Sequence, residues 1–398
     1  MTRPRPRVIL INRVYWPSEA ATAQLLTDLA EGLAGRDWDV HVIAAGREDV
    51  ARHGVTIHRS GGETAHGGMV SRAANYARFL RAAARVLRVL ARAGDVIVAM
   101  TDPPQLACRV AAAATASGAT TVHWIQDIYP EILTAHVGRW ARLALTPLTR
   151  VRNRAWMVAG RCVTVGEDMG ETLAAAGVLP SRRCVIPNWA PRVLEIQPAP
   201  AEVAAARRDW GADGRFVVAY SGNLGRVHEF GAVVRAATSL RDCELVQFVF
   251  VGGGPRLRQV KAAVSDIGLS NVRFLPAQPR DRLAAVMAVA DAHLVTLRPG
   301  FEHLVYPSKL AGILAAGRPA LFVGPAGSQI ARFVVRERCG LAFGPESGED
   351  LAAAIRSLAK DPERTDGLGR AARGAYERHF TFASALDAWD SVLRSASR

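Results

Sequence analysis

Lysine is almost missing from this chain: Lys261, Lys309 and Lys360 are the only ones among 50 basic residues. A lysine kept against so strong a bias towards arginine carries more weight than one in a mixed background. Acids are also short, 36 against those 50, and the formal net charge of +14 favours an anionic partner such as nucleic acid, a phospholipid surface or a phosphorylated substrate. No run of about 18 apolar residues occurs, which excludes a membrane-spanning helix. Val8-Ile9-Leu10-Ile11 is too short for a signal-peptide core, so a cytoplasmic protein is expected, attached at most peripherally to the inner face of the plasma membrane. The five cysteines, Cys108, Cys162, Cys184, Cys243 and Cys339, are scattered without C-x-x-C spacing, and the histidines form no H-x-x-x-H helix face. Neither a redox disulfide nor a bound metal is expected.

With 398 residues, 49% of them apolar, the chain exceeds one ordinary domain. Short apolar runs alternate with long amphipathic segments, first through Val8 to Asn12, Val40 to Ala44, Val96 to Met100, Thr120 to Ile125 and Cys162 to Val165. The alternation restarts with Phe216 to Ser221, Gln247 to Gly252, Val272 to Leu275, Ala292 to Thr296 and Ala320 to Val323. Strands alternating with helices predict an α/β chain of two doubly wound parallel-sheet domains. Between the series lie Pro187-Asn188-Trp189-Ala190-Pro191 and Pro198-Ala199-Pro200, a proline-rich linker. The expected division is residues 1–193, residues 194–379, and a C-terminal helix within 380–398 that packs back on the first domain.

In open α/β sheets ligands bind beyond the carboxyl ends of the strands, so the loops that follow each strand are where chemistry is expected. Val305-Tyr306-Pro307-Ser308-Lys309-Leu310 places Ser308 and Lys309 at a helix start, a seat for a diphosphate. The bland alternative makes Ser308 an N-cap and Lys309 a solvated surface residue. Ser221-Gly222-Asn223-Leu224-Gly225-Arg226 offers glycines for close backbone approach and a guanidinium for an anion. Gly252-Gly253-Gly254-Pro255, three glycines in a row, suits a backbone pressed against a nucleotide better than packing.

In the first half, Thr101-Asp102-Pro103-Pro104 and Gln126-Asp127-Ile128-Tyr129-Pro130-Glu131 put carboxylates on one rim, with Asp127 directly after its strand the best placed to touch substrate. Ser18, in Tyr15-Trp16-Pro17-Ser18-Glu19, reads more readily as a helix cap. Asp37-Trp38-Asp39 has a metal-binding D-x-D form but precedes its strand, at the wrong end of the sheet, and reads as a turn. Arg78, Arg81, Arg85, Arg88 and Arg92 fall on one helix face, equally a solvated face or a contact for anionic membrane. Arg139, Arg142, Arg150, Arg152 and Arg154, around Trp140 and Trp156, form a second basic cluster.

Taken together, these residues resemble the retaining glycosyltransferases of family 4, with the two-Rossmann GT-B fold, and especially the bacterial branch that builds surface polysaccharides. The resemblance spans nearly the whole chain. It rests on Tyr15-Trp16-Pro17 with Ala21 through Ala30, on Asp102-Pro103-Pro104, on Gln126 through Glu131, on Ile186-Pro187-Asn188-Trp189, on Tyr220 through Gly225, on Gly253-Gly254-Pro255, and on Pro307-Ser308-Lys309 through Pro319. It implies an interdomain cleft and a nucleotide-sugar donor held by the C-terminal domain through Gly222, Asn223, Arg226, Gly253, Gly254, Pro276, Tyr306, Ser308 and Lys309. The acceptor would meet Ser18, Glu19, Asp102 and Asn188, with Asp127 and Glu302 beside the reacting sugar. Such enzymes need no metal, and retention is described as same-face attack in which the leaving phosphate oxygen helps take the acceptor proton.

Several positions depart from the family pattern. The second of two glutamates eight apart is Gly312 here, and counting back eight gives Leu304; Asn223 and Phe230 stand where an arginine and a lysine are common, and Gln126 stands near the place of a histidine. The resemblance implies transfer of a hexose or N-acetylhexosamine, UDP-linked, to a surface-polysaccharide or lipid-linked saccharide. A small-molecule glycosyltransferase, a nucleotide-sugar epimerase of the same fold and a catalytically impaired donor-binding scaffold are the alternatives. Nucleic-acid binding ranks last, because no signature for it accompanies the charge.

Overall fold

The computed structural model describes residues 5–47, 50–61, 69–134 and 139–397, without the side chains of 50, 69–70 and 139–142. The chain divides into two compact units. The first holds Met1–Pro187 with His303–Tyr306 and Ala383–Arg398, the second Asn188–Glu302 and Pro307–Phe382. The division therefore falls a few residues before Val193, the point suggested by proline spacing.

In the first unit the order is β1 (Arg7–Ile11), α1 (Ala21–Ala34), β2 (Asp39–Ala44), β3 (Val50–Arg52), β4 (Val55–Arg59), α2 (Met69–Leu90), β5 (Val96–Ala99), α3 (Leu106–Ser117), β6 (Thr120–Ile125), α4 (Glu131–Thr134), α5 (Arg139–Val158), β7 (Arg161–Thr164), α6 (Glu167–Ala175) and β8 (Arg183–Val185). The strands form one sheet in the order β3-β4-β2-β1-β5-β6-β7-β8, parallel except where β3 meets β4. Strand β5, and β1 beyond Arg7, are apolar because helices cover both faces of a parallel sheet. On one face Phe79, Ala83 and Leu87 of α2 and Leu106, Val110 and Ala114 of α3 close over Ile9, Ile11 and Ile97. Strands β3, β4 and β8 escaped the sequence reading: they are short, sit at the sheet's margins, and are only partly apolar.

The second unit contains α7 (Pro200–Asp209), β9 (Phe216–Ser221), α8 (Gly231–Ser239), β10 (Val246–Val251), α9 (Leu257–Ile267), β11 (Val272–Leu275), α10 (Leu283–Val289), β12 (Ala292–Thr296), α11 (Lys309–Ala315), β13 (Ala320–Val323), α12 (Gln329–Arg336), β14 (Gly340–Phe343), α13 (Gly348–Lys360) and α14 (Pro362–His379). Its sheet runs β11-β10-β9-β12-β13-β14, all parallel. Counted within the unit this is the doubly wound order 3-2-1-4-5-6, whose switch point lies between β9 and β12. In the first unit the same reversal lies between β1 and β5.

The last helix, α15 (Phe382–Ala396), belongs to the first unit from its second residue, Ala383. Trp389 is fully buried with its ring centroid 4.8 Å from that of Trp124, and Asp390 accepts the Trp38 indole N–H at 2.6 Å. Trp389→Ala is expected to destabilise the first unit by about 3–5 kcal/mol. The check is a lower denaturation midpoint for that unit, with the second unit's transition unmoved.

Candidate functional site

Two sites form at the two switch points, one in each unit. In the first unit Arg13 follows β1 and Asp102 follows β5, and they join across the switch point. The Arg13 Nε–H and Nη2–H donate to the two Asp102 oxygens at 3.1 and 2.9 Å, and the Arg13 backbone N–H donates to the Asp102 carbonyl at 2.8 Å. The guanidinium also lies 5.3 Å from the centre of the Tyr76 ring. Arg13 was not singled out in the sequence, although its place directly after the first strand was a usable signal.

Glu131 is likewise neutralised. The buried Arg152 grips both its oxygens, donates to the Tyr129 carbonyl at 2.7 Å, and stacks over Trp156 at 4.0 Å. This corrects the reading of Arg152 and Trp156 as part of a surface basic cluster: both are interior, because α5 turns that edge onto the loop after β6. The side chains of Arg139, Trp140 and Arg142 lie outside the described residues.

Asp127 is therefore the rim carboxylate left without a cation among the described residues. Its backbone is fixed by bridging Val305, and the next N–H, of Ile128, donates to the Leu304 carbonyl at 2.9 Å. Burial, and after it the Asp102 charge, pushes its carboxyl up to about 6. The Tyr129 hydroxyl is pushed up to about 12 by burial and then by Asp127. A half-buried carboxylate with raised proton affinity and no cation beside it can accept a hydrogen bond from a ligand hydroxyl.

Around these lie the other expected contacts. Ser18 does not cap α1: its Oγ accepts the Ala20 N–H at 3.3 Å, and Ala20 occupies the cap position without a side-chain bond. Glu19 is exposed, and its carbonyl accepts from Gln24. Asn188 is buried, as the first residue of the second unit. Asp37 sits in a left-handed turn, φ 62°, at the amino end of β2.

In the second unit the loops after β9, β10 and β12 converge. The Lys309 ammonium donates to the Asn223 carbonyl at 3.3 Å and lies 4.8 Å from the centre of the Tyr220 ring. Burial brings it down to about 8. The bland reading fits less well: Lys309 is half-buried against the β9 loop, and Ser308 makes no capping bond. The Tyr220 hydroxyl donates to the same Asn223 carbonyl at 2.9 Å, so that one oxygen gathers a phenol and an ammonium. Beneath, the buried His228 holds Nδ1 at 2.7 Å from the Thr296 carbonyl, which fixes a proton on Nδ1. Burial and then Lys309 bring its ring down to about 4, so it is neutral at physiological pH. Tyr220 was quoted only as part of its motif and His228 was not singled out, because nothing in sequence distinguishes a buried core aromatic from one beside a site.

The three consecutive glycines separate into two roles. A Cβ on Gly252 would stand 2.5 Å from the Gly222 carbonyl oxygen, and one on Gly254 would stand 2.5 Å from Asn223 Oδ1 and 2.7 Å from the Leu224 N, both at positive φ. These two serve loop-to-loop packing, which the sequence reading had discounted; the Leu224 N–H to Gly253 carbonyl bond of 2.7 Å laces the same loops together. Gly253 is exposed, and a Cβ there would meet nothing within 4 Å. It leaves an open face beside the exposed Gly222 and Asn223.

Other expected donor contacts are less tightly placed. Arg226 and Pro276 are exposed, the Arg226 carbonyl accepting from Arg298 and the Pro276 carbonyl from Gln278. Tyr306 belongs to the segment that joins the first unit. Glu302 turns its carboxylate back onto the Gly300 N–H at 2.7 Å. Gly312 is buried, and a Cβ there would meet Leu194 at 3.3 Å.

Residues 22–191 match the family model described as Glycosyltransferase Family 4, and residues 203–375 the one described as Glycosyl transferases group 1. WcaI of Escherichia coli (strain K12), named for glycosyl transfer in colanic acid biosynthesis, is 30% identical over 246 residues, 60% of this chain and 60% of its own length. WbjE of Pseudomonas aeruginosa, named as a glycosyltransferase, is 28% identical over 306 residues, 76% of this chain and 75% of its own. The crystal structure of Anabaena HepE in complex with UDP-glucose superposes with a TM-score of 0.75 at 16% identity, covering 98% of this chain and 99% of that one.

Proposed function

Because this chain belongs to the family 4, group 1 glycosyltransferases, we propose that it moves a hexose or N-acetylhexosamine from a UDP-linked donor to a surface-polysaccharide or lipid-linked saccharide acceptor, with retention and without a metal. The observation that carries this reading is the Lys309 ammonium, held at the Asn223 carbonyl beside the open glycine face of Gly222 and Gly253. A diphosphate seated there would exchange a weak carbonyl contact for a charge-assisted one. In the transfer, the acceptor oxygen bonds to the anomeric carbon on the face from which the diphosphate oxygen departs, and the acceptor proton passes to that oxygen. Lys309 offsets the charge that grows on the diphosphate. Asp127 orients the acceptor hydroxyl, and it needs no covalent step. HepE, solved with UDP-glucose, supports the choice of base and sugar class, and WcaI that of the acceptor class. A lipid-diphosphate acceptor would also give the basic face of α2 an anionic membrane to meet.

The test is a calorimetric screen of UDP, GDP, ADP and dTDP with and without magnesium, followed by transfer assays with the binding nucleotide's sugars. Selective binding of UDP, equal in the presence of a chelator, supports the reading, and binding of none of the four overturns it in favour of a scaffold. The glycines supply a sharper check. Gly253→Ala is expected to leave the melting temperature unchanged yet weaken UDP binding, because its methyl occupies the open face. Gly254→Ala is expected to cost about 1–3 kcal/mol of stability, from positive φ and the contact with the β9 loop.

A further inference from the structure

The second unit holds a cavity of about 390 Å³ beside the turn Ala316-Gly317-Arg318-Pro319, which enters β13 at its amino end, away from the loops after β9, β10 and β12. Arg318 of that turn, Arg370 and Arg373 of α14, and Gln197 line it, with Asp366 as its acid. Arg318 is half-buried, and its one side-chain bond among the described residues goes to the Ala288 carbonyl. Asp291, whose charge favours the guanidinium, is taken by Arg207 at 3.2 Å and by the Val217 N–H at 2.7 Å. Burial outweighs that charge and draws Arg318 below the usual arginine range. Arg370 is exposed and makes no side-chain bond or ion pair among the described residues. Arg373, by contrast, is committed to the Ala315 carbonyl at 2.8 Å, the Glu195 carbonyl at 3.2 Å and Glu377 at 2.9 Å. A buried guanidinium is ordinarily matched by a carboxylate, yet here two arginines on separate elements line one cavity and neither is ion-paired.

We infer that this cavity binds a phosphate monoester of a sugar, with the phosphate at Arg318 and Arg370 and the sugar hydroxyls at Asp366 and Gln197. Two guanidiniums suit a doubly charged tetrahedral anion, and the volume leaves room for more than phosphate alone. A carboxylate beside the arginines repels a bare anion but accepts hydrogen bonds from hydroxyls, so Asp366 selects for a polyol attached to the phosphate. The cavity also reaches the helix that carries Lys309. Helix α11 begins at Lys309 and ends at Ala315, whose carbonyl accepts from Gln197 at 3.1 Å as well as from Arg373. A Cβ on Gly369 would stand 2.5 Å from the Gly317 carbonyl oxygen, so α14 packs directly on the turn after α11. A ligand that draws on Gln197 or on α14 acts on the far end of that helix, and is expected to change UDP affinity. Only this consequence rests on the transferase reading.

The experiment is calorimetry of the full chain with glucose 6-phosphate, inorganic phosphate and glucose, each with and without saturating UDP. Glucose 6-phosphate is expected to bind in both conditions and more tightly than phosphate, and glucose not to bind. Arg370→Gln, at an exposed position, should weaken it about tenfold, the low end for a charge-assisted bond. Asp366→Asn should weaken binding of glucose 6-phosphate while strengthening that of inorganic phosphate, a reversal that loss of structure does not produce. Lys309→Ala should bind glucose 6-phosphate as wild type does. No binding of glucose 6-phosphate, wild-type binding by Arg370→Gln, or equal affinity for glucose 6-phosphate and inorganic phosphate overturns the inference. UDP affinity that is equal with and without glucose 6-phosphate overturns the coupling through α11. A chain that binds glucose 6-phosphate and no nucleotide would sink the transferase reading and leave the cavity standing.

Discussion

Lys309→Ala is expected to weaken UDP binding by about 10- to 100-fold, the worth of a charge-assisted hydrogen bond of roughly 1.5–3 kcal/mol. The loss is not that of an ordinary surface lysine. Burial has brought the ammonium down to about 8, so the free protein already bears the cost of keeping the charge partly dry. A bound diphosphate returns part of that cost. The pH dependence follows with a definite sign. Below about 8 Lys309 is cationic and attracts the anion; above it the amine is neutral, so wild-type affinity should fall as pH rises from 7 to 9. In Lys309→Ala that pH dependence should disappear. Calorimetry across this range checks both effects, and an alanine variant with unchanged affinity and intact folding would remove Lys309 from the site.

Asp127→Asn is expected to depress turnover by about 100-fold, as misplacement of a reacting group does, while leaving UDP affinity intact. The same substitution should stabilise the protein. Burial and Asp102 raise the folded-state carboxyl to about 6 from an ordinary 3.8. The native state thus holds the proton more tightly than the unfolded chain, and the ionised form at pH 7 costs roughly 3 kcal/mol. That cost fades as pH falls through 6 towards 4. The asparagine variant should therefore melt above wild type at pH 7–8, and the gap should close near pH 4. A variant that melts lower at pH 7, or that loses UDP binding and turnover together, would make Asp127 a structural residue. A stabilising change that removes activity is the signature of a group kept for function at the expense of stability.

The sequence by itself determined the alternation of strand and helix, and with it two doubly wound units, because a parallel strand covered on both faces must be apolar along its length. Strands Thr120–Ile125, Phe216–Ser221 and Ala292–Thr296 lie where their apolar runs placed them. It also marked the loops where chemistry is expected, since the rule of carboxyl ends needs only the strands and their order. What those loops do with their residues was decided by the tertiary structure. Asp102, Asp127 and Glu131 are alike in sequence, yet Arg13 and Arg152 neutralise two of them and leave the third, because ion pairing depends on which distant segments the sheet brings together. Gly252, Gly253 and Gly254 are adjacent and chemically identical, but the neighbouring loop crowds the first and last and leaves the middle one open. Lys309 was legible as unusual from composition. Its place over Tyr220, and the lowered proton affinity that follows, belong to the fold, since burial and charge are properties of surroundings that no local pattern encodes.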